Sequence, residues 1–203
     1  MEDELRAAWQ RHAAARQRFR EMAVQAVPRP KMIEQAKRLG LPVDQGEMAQ
    51  LGEDELAYLF DLAIYSAPPG RSRAIDRVVR QHARLRGEAV LVLNALSSAW
   101  FSIFRVTGLH PDGGLLLEDA LGGGEVWVVD EGLSEVAELG AVVATRLGRV
   151  AGYAMTCGVM AVLDDVTLDG IRQVARRSGV EPAALVDEPR FVEGLWRRAL
   201  GFG

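Results

Sequence analysis

The sequence predicts an α+β chain: an N-terminal helical part, a small five-stranded, mostly antiparallel curved sheet or partly open barrel, and a C-terminal helical hairpin. Two observations carry this. The apolar period is near 3.6 through the first hundred residues, falls to about 2 at Trp100, and returns to the helical value after Asp164 and Asp165. Glycine follows the same division. Residues 1–97 hold five glycines, at 40, 46, 52, 70 and 87, each where a helical pattern starts or stops, whereas residues 108–158 hold eleven.

From Glu2 to Ala26 strong helix formers dominate, and Leu5, Ala8, Trp9, His12, Ala15, Phe19 and Met22 recur at steps of three and four. This is one amphipathic helix, ended by Pro28 and Pro30. A short helix follows from Lys31 to Leu39, with Gly40 as its stop. Leu56, Leu59, Phe60, Ala63 and Ile64 then form an apolar stripe behind the acidic first turn Glu53-Asp54-Glu55, where carboxylates suit the helix dipole. Pro68-Pro69-Gly70 breaks it. Ser72 is placed to cap a helix carrying Ile75, Val78 and Val79, and a further helix is expected from Glu88 to about Ser97.

Five strands are expected, at Trp100–Thr107, Leu115–Glu118, Glu125–Asp130, Ala141–Leu147 and Tyr153–Leu163. His110-Pro111-Asp112-Gly113-Gly114 and Gly122-Gly123-Gly124 supply the residue types that tight turns between strands demand. Alternation puts Trp100, Ser102, Phe104 and Val106 on one face of the first strand and Phe101, Ile103 and Arg105 on the other. Both faces are then covered, one by a barrel interior and one by helices, and Arg105 needs a carboxylate such as Asp119 or Asp130. After the strands, Thr167 is placed to cap a helix carrying Ile171, Val174 and Ala175 with Gly179 as its stop, and Asp187 to cap a last one lined by Phe191, Val192, Leu195 and Ala199. The expected units are 1–97, 98–165 and 166–203, packed together.

At 203 residues the chain can bury a core without disulfides or a structural metal. Its single cysteine, Cys157, forms no intrachain disulfide and builds no zinc cage alone, which points to a reducing, cytoplasmic setting. An acidic start and the lack of any run of 18 apolar residues predict neither secretion nor membrane spanning. The net charge of −4 is unevenly spread: residues 98–165 carry 3 bases and 10 acids, a balance that repels a phosphate backbone. Residues 11–38 hold eight bases against Glu21 and Glu34, and residues 71–86 hold six arginines against Asp76. If nucleic acid binds, Arg16, Arg20, Arg77 and Arg80 are the candidates, although aromatic residues hardly interleave with them.

Catalytic signals are sparse. His110 and Asp112 form an H-x-D pair, but the three histidines, at 12, 82 and 110, are too scattered for a metal site, and neither metal nor cofactor is expected. Cys157 lies among apolar strand residues without a base beside it, and Gly122–Gly124 lacks the lysine of a phosphate loop. Carboxylates at strand ends are the remaining acid-base candidates: Asp119 and Asp130, with Glu118 and Glu131 near them and His110 as an adjunct.

The segments Asp61-Leu62-Ala63-Ile64-Tyr65, Arg73-Ala74-Ile75-Asp76-Arg77, Phe101 to Val106, Val126 to Gly132 and Ala144-Thr145-Arg146-Leu147 resemble an uncharacterised family of bacterial proteins, over about residues 55–162. The resemblance implies the strand block and brings no activity, cofactor or site residue with it. The reading that results is a non-enzymatic cytoplasmic adaptor that binds a protein partner, with a nucleic-acid-associated regulator and a carboxylate enzyme centred on residues 110–131 as alternatives. Trp9 and Phe19 on a projecting first helix further suggest a homodimer, which would cover that stripe.

Overall fold

The computed structural model describes residues 3–68, 70–186 and 188–202. Six helices come first: α1 (Asp3–Gln25), α2 (Arg29–Leu39), α3 (Gln45–Met48), α4 (Glu53–Tyr65), α5 (Ala74–Gln81) and α6 (Glu88–Ser97). Then follow β1 (Trp100–Leu109), β2 (Leu115–Asp119), β3 (Glu125–Val128), α7 (Glu131–Val136), β4 (Val142–Val150) and β5 (Tyr153–Leu163). The chain finishes with α8 (Asp165–Ser178), α9 (Pro182–Leu185) and α10 (Pro189–Ala199). No described helix is long and apolar enough to cross a membrane.

The strands close into a barrel in the order β1-β2-β3-β5-β4, with β4 paired back to β1. All neighbours are antiparallel except β3 and β5, which meet in parallel through Val128 and Ala154. The barrel is therefore closed rather than partly open. Five strands around a Greek-key path with one helix between β3 and β4 is the OB-type arrangement.

Alternation on β1 follows the expected division. Phe104 and Val106 point into the barrel with Leu117, Val126, Val143 and Leu147. Phe101 and Ile103 face outward into a second core with Leu59 and Leu62 of α4 and Trp196 of α10. A third core joins Phe19 and Ala23 of α1 to α5, α6 and the β5 residues Met155 and Cys157.

Several local expectations change. The first helix does not project: Trp9, His12, Phe19 and Ala23 are buried, and Trp9 packs on Val129 and Tyr153 of the barrel. Its stripe is thus covered within the chain. The cap of α5 is Arg73, not Ser72; its N–H donates to Asp76 Oδ2 at 2.9 Å and its guanidinium returns to the same carboxylate. Arg105 pairs with Asp165 at the head of α8, at 2.5 Å, rather than with Asp119 or Asp130. The third strand ends at Val128, because Asp130 caps α7. Asp164, not Thr167, caps α8, accepting from the Thr167 N–H at 2.7 Å. Asp187 lies outside the described residues.

Glycine supplies two conformations that other residues would resist. At Gly114 (φ +82°), in the β1–β2 turn, a Cβ would sit 2.4 Å from the Val128 carbonyl oxygen. At Gly158 (φ +80°) β5 bulges, so that Cys157, Gly158 and Val159 stand opposite the Arg146 region of β4.

Candidate functional site

Helix α4 is buried through most of its last two turns, and Asp61 is the one charged residue among those buried positions. Its carboxylate accepts from Arg146 Nε at 2.7 Å and Nη2 at 3.2 Å, and from Trp196 Nε1 at 3.1 Å. The two charged side chains are 1% (Asp61) and 11% (Arg146) exposed, so this ion pair is nearly dry. The Arg146 guanidinium stands 4.3 Å from the Tyr65 ring centre and 5.6 Å from that of Phe101. Burial pulls its pKa down, but Asp61 more than reverses this and the net direction is up. Trp196 stacks on Tyr58 at 4.6 Å and meets Phe101 edge-on at 5.3 Å. One carboxylate thereby joins the N-terminal helices, the barrel and the C-terminal helix.

Beside this hub is a cavity of about 310 Å³, bordered by Asp61, Tyr65, Arg73, Ser102, Asp119 and Arg146 among others. Asp61 and Arg146 satisfy each other, the other charged groups are held by neighbours, and the buried Tyr65 hydroxyl has no hydrogen-bond partner among the described residues. Asp119 Oδ1 accepts from Ser102 Oγ at 2.7 Å and from the N–H groups of Leu121 and Gly122 at 3.0 and 2.8 Å, closing the β2–β3 turn. Arg73 is held by Asp76 and the Ser97 carbonyl. Among the described residues, no group of three or more His, Cys, Asp or Glu could hold a metal ion.

The other sequence candidates have separate partners. His110 stacks on Trp127 with ring centres 3.9 Å apart, while Trp127 Nε1 donates to the Gly113 carbonyl at 2.8 Å. Asp130 accepts from Leu133 N–H at 3.2 Å, Thr156 Oγ1 at 2.6 Å and Arg16 Nη1 at 2.8 Å. His110, Asp119 and Asp130 therefore serve a turn stack, a turn and a helix cap. Of the arginine candidates, Arg16 is bound to Asp130 and Thr156, Arg77 to the Ser72 and Ala26 carbonyls, and Arg80 to Ser72 Oγ. Arg20 lies against Gly158 and has no hydrogen-bond or ion-pair partner among the described residues.

The outer face of β2 and β3 is where OB-type barrels hold ligands. Here Glu118 stands directly opposite Glu125, and Leu116 opposite Trp127, so the face is acidic. The surface feature that stands out lies elsewhere. Along α8, Val166, Gly170 and Val174 are exposed at steps of four, the two valines at 76% and 58%. Across from them, α10 presents the half-buried Phe191 and the exposed Gly194 above the buried Leu195, and the groove between is about 620 Å³. The charged residues bordering it are Arg190 and Arg198, with no acid. Nothing lies within 4 Å of where a Cβ on Gly170 or Gly194 would stand, so packing within the chain does not require either glycine.

Sequence reasoning passed over both Asp61 and Arg146, although they fall in segments that carry the family resemblance. The available signal was a lone carboxylate inside the apolar run Leu59 to Tyr65. A family of unknown function (DUF7986) matches residues 13–179. No curated protein and no solved structure matches the chain.

Proposed function

This chain belongs to the DUF7986 family, and we propose that it acts as a non-enzymatic adaptor whose α8–α10 groove takes an amphipathic helix of a protein partner. The observation that carries the proposal is the apolar stripe Val166, Gly170, Val174 left facing solvent across from Phe191. A helix docks into such a groove through apolar residues at steps of three and four. The paired glycines support this reading, because each costs about 1 kcal/mol relative to Ala inside a helix and would permit close backbone approach by a partner. Arg190 and Arg198 on the rim favour acidic residues flanking the partner's apolar face. They also disfavour a second copy docking groove to groove, since like rims would face each other.

Two further features favour an adaptor over the alternatives. The charged groups around the hub cavity are each held by partners within the chain, and the outer β2–β3 face is acidic where a nucleic acid would need bases. Cytoplasmic location belongs to this proposal and rests on the single, buried, reduced Cys157. The test is a titration with two synthetic helical peptides that share leucines at i, i+4 and i+7, one flanked by glutamates and one by lysines. The acidic peptide is expected to bind, and Val174→Glu or the pair Arg190→Glu and Arg198→Glu to abolish its binding. Equal binding of both peptides, or binding that survives Val174→Glu, overturns the reading.

A further inference from the structure

We propose that the cleft between α1, α4 and the β5 bulge binds a small monocarboxylate with an apolar body, held by Arg20. Arg20 has five N–H donors and no acceptor among the described residues, whereas Arg16 and Arg146 nearby each hold a carboxylate. Its guanidinium lies close against the bulge: a Cβ on Gly158 would come within 2.2 Å of Nη1 and 2.6 Å of Cζ. With glycine at 158 the guanidinium can sit in that space, and the φ of +80° at the bulge is a conformation that glycine adopts without strain. Taking a guanidinium largely out of water without a counter-charge is unfavourable. Burial accordingly lowers the pKa of Arg20, with Tyr65, Arg16, Cys157 and Asp61 as lesser influences.

The cleft in front of Arg20 is about 630 Å³, large enough for a small organic molecule. Val24, Leu56, Ala57 and Phe60 build an apolar part of its wall, with Gln17 and Gln25 beside it. A carboxylate accepts two parallel N–H bonds from a guanidinium, and the remainder of the ligand would rest on that wall. The rim selects the charge. Glu21 and Glu53 are both exposed at the edge of the cleft, Glu21 being bound to Gln17 Nε2 at 2.8 Å, and they repel a doubly charged anion more than a singly charged one. This site shares no lining residue with the α8–α10 groove, so each stands or falls alone.

The experiment is a calorimetric titration of the full chain with octanoate and benzoate, set against octanamide, benzamide and inorganic phosphate. The carboxylates are expected to bind, the amides at least about tenfold more weakly, and phosphate not at all. Arg20→Met is expected to abolish carboxylate binding while raising the thermal midpoint of the ligand-free chain, because it removes an unpaired, desolvated charge. Arg20→Lys keeps the charge without the fork and is expected to bind more weakly than Arg20. Octanamide on the unaltered chain decides the matter without any variant: binding equal to that of octanoate overturns the proposal. So does phosphate binding as tightly as octanoate, carboxylate binding retained by Arg20→Met, or no binding of either carboxylate.

Discussion

Removing the Asp61 carboxylate tests the buried hub with one substitution. Asp61→Ala leaves the Arg146 guanidinium, 11% exposed, without its counter-charge, and leaves Trp196 Nε1 without its acceptor. Breaking a buried pair from one side costs about 3–5 kcal/mol, since the remaining ion stays in a place that was tolerable only when paired. For a chain of this size that is a fall in Tm of roughly 6–20 °C. Arg146→Met is expected to cost a similar amount by stranding Asp61. The double variant Asp61→Leu with Arg146→Met removes both charges and is expected to recover most of the loss, because apolar side chains of similar size fit the same surroundings. Urea unfolding followed by tryptophan fluorescence measures all three, with Trp196 reporting directly. A single-variant cost below about 1 kcal/mol, in the range of an exposed pair, would refute the account of a dry hub. Additive losses in the double variant would refute it equally.

Three further outcomes are expected. His12 is buried against the Tyr153 hydroxyl at 2.7 Å, and burial lowers its pKa from the ordinary 6.5. The unfolded chain then binds the proton more readily, so this contribution is complete above that value and is lost as pH falls below it; His12→Gln should flatten that part of the stability–pH curve. The Cys157 thiol is buried and pushed up to about 11, so a disulfide exchange reagent should leave it unmodified in the native chain and titrate one thiol after denaturation. Gly170→Ala and Gly194→Ala should each stabilise the free chain by about 0.5–1 kcal/mol in urea unfolding and weaken binding of the acidic helical peptide.

The strand block was legible because period 2 over ten or so residues has few competing explanations; Tyr153–Leu163 is found where the alternation put it. Helix α6 is found at Glu88–Ser97 for the same reason in the helical period. Helices α3, α7 and α9 span four to six residues, too few to develop a period. Closure of the barrel was not legible, because the parallel contact between β3 and β5 joins Val128 to Ala154, and nothing local encodes it. The first helix was read correctly as amphipathic and wrongly as projecting: a sequence shows that a stripe must be covered and not what covers it. Likewise the need of Arg105 for a carboxylate was visible, while Asp165 as its partner depended on where α8 starts. Asp61 and Arg146, which hold the hub, are 85 residues apart and became a pair only in three dimensions. The α8–α10 groove was hidden for another reason. Helical spacing groups Val174 with Ile171 and Ala175, but Ala175 is buried, Ile171 half-buried and Val174 58% exposed, and spacing alone does not tell the edge of a stripe from its centre.

The adaptor proposal is tested most directly by placing a photo-reactive amino acid at position 174, crosslinking in cell lysate, and sequencing the partner segment attached to it. The prediction is a single partner segment with apolar residues at helical spacing and acidic residues flanking them, whose crosslink disappears when Arg190 and Arg198 are both reversed to glutamate. Crosslinks confined to a second copy of this chain, or a partner segment without helical apolar spacing, would contradict it.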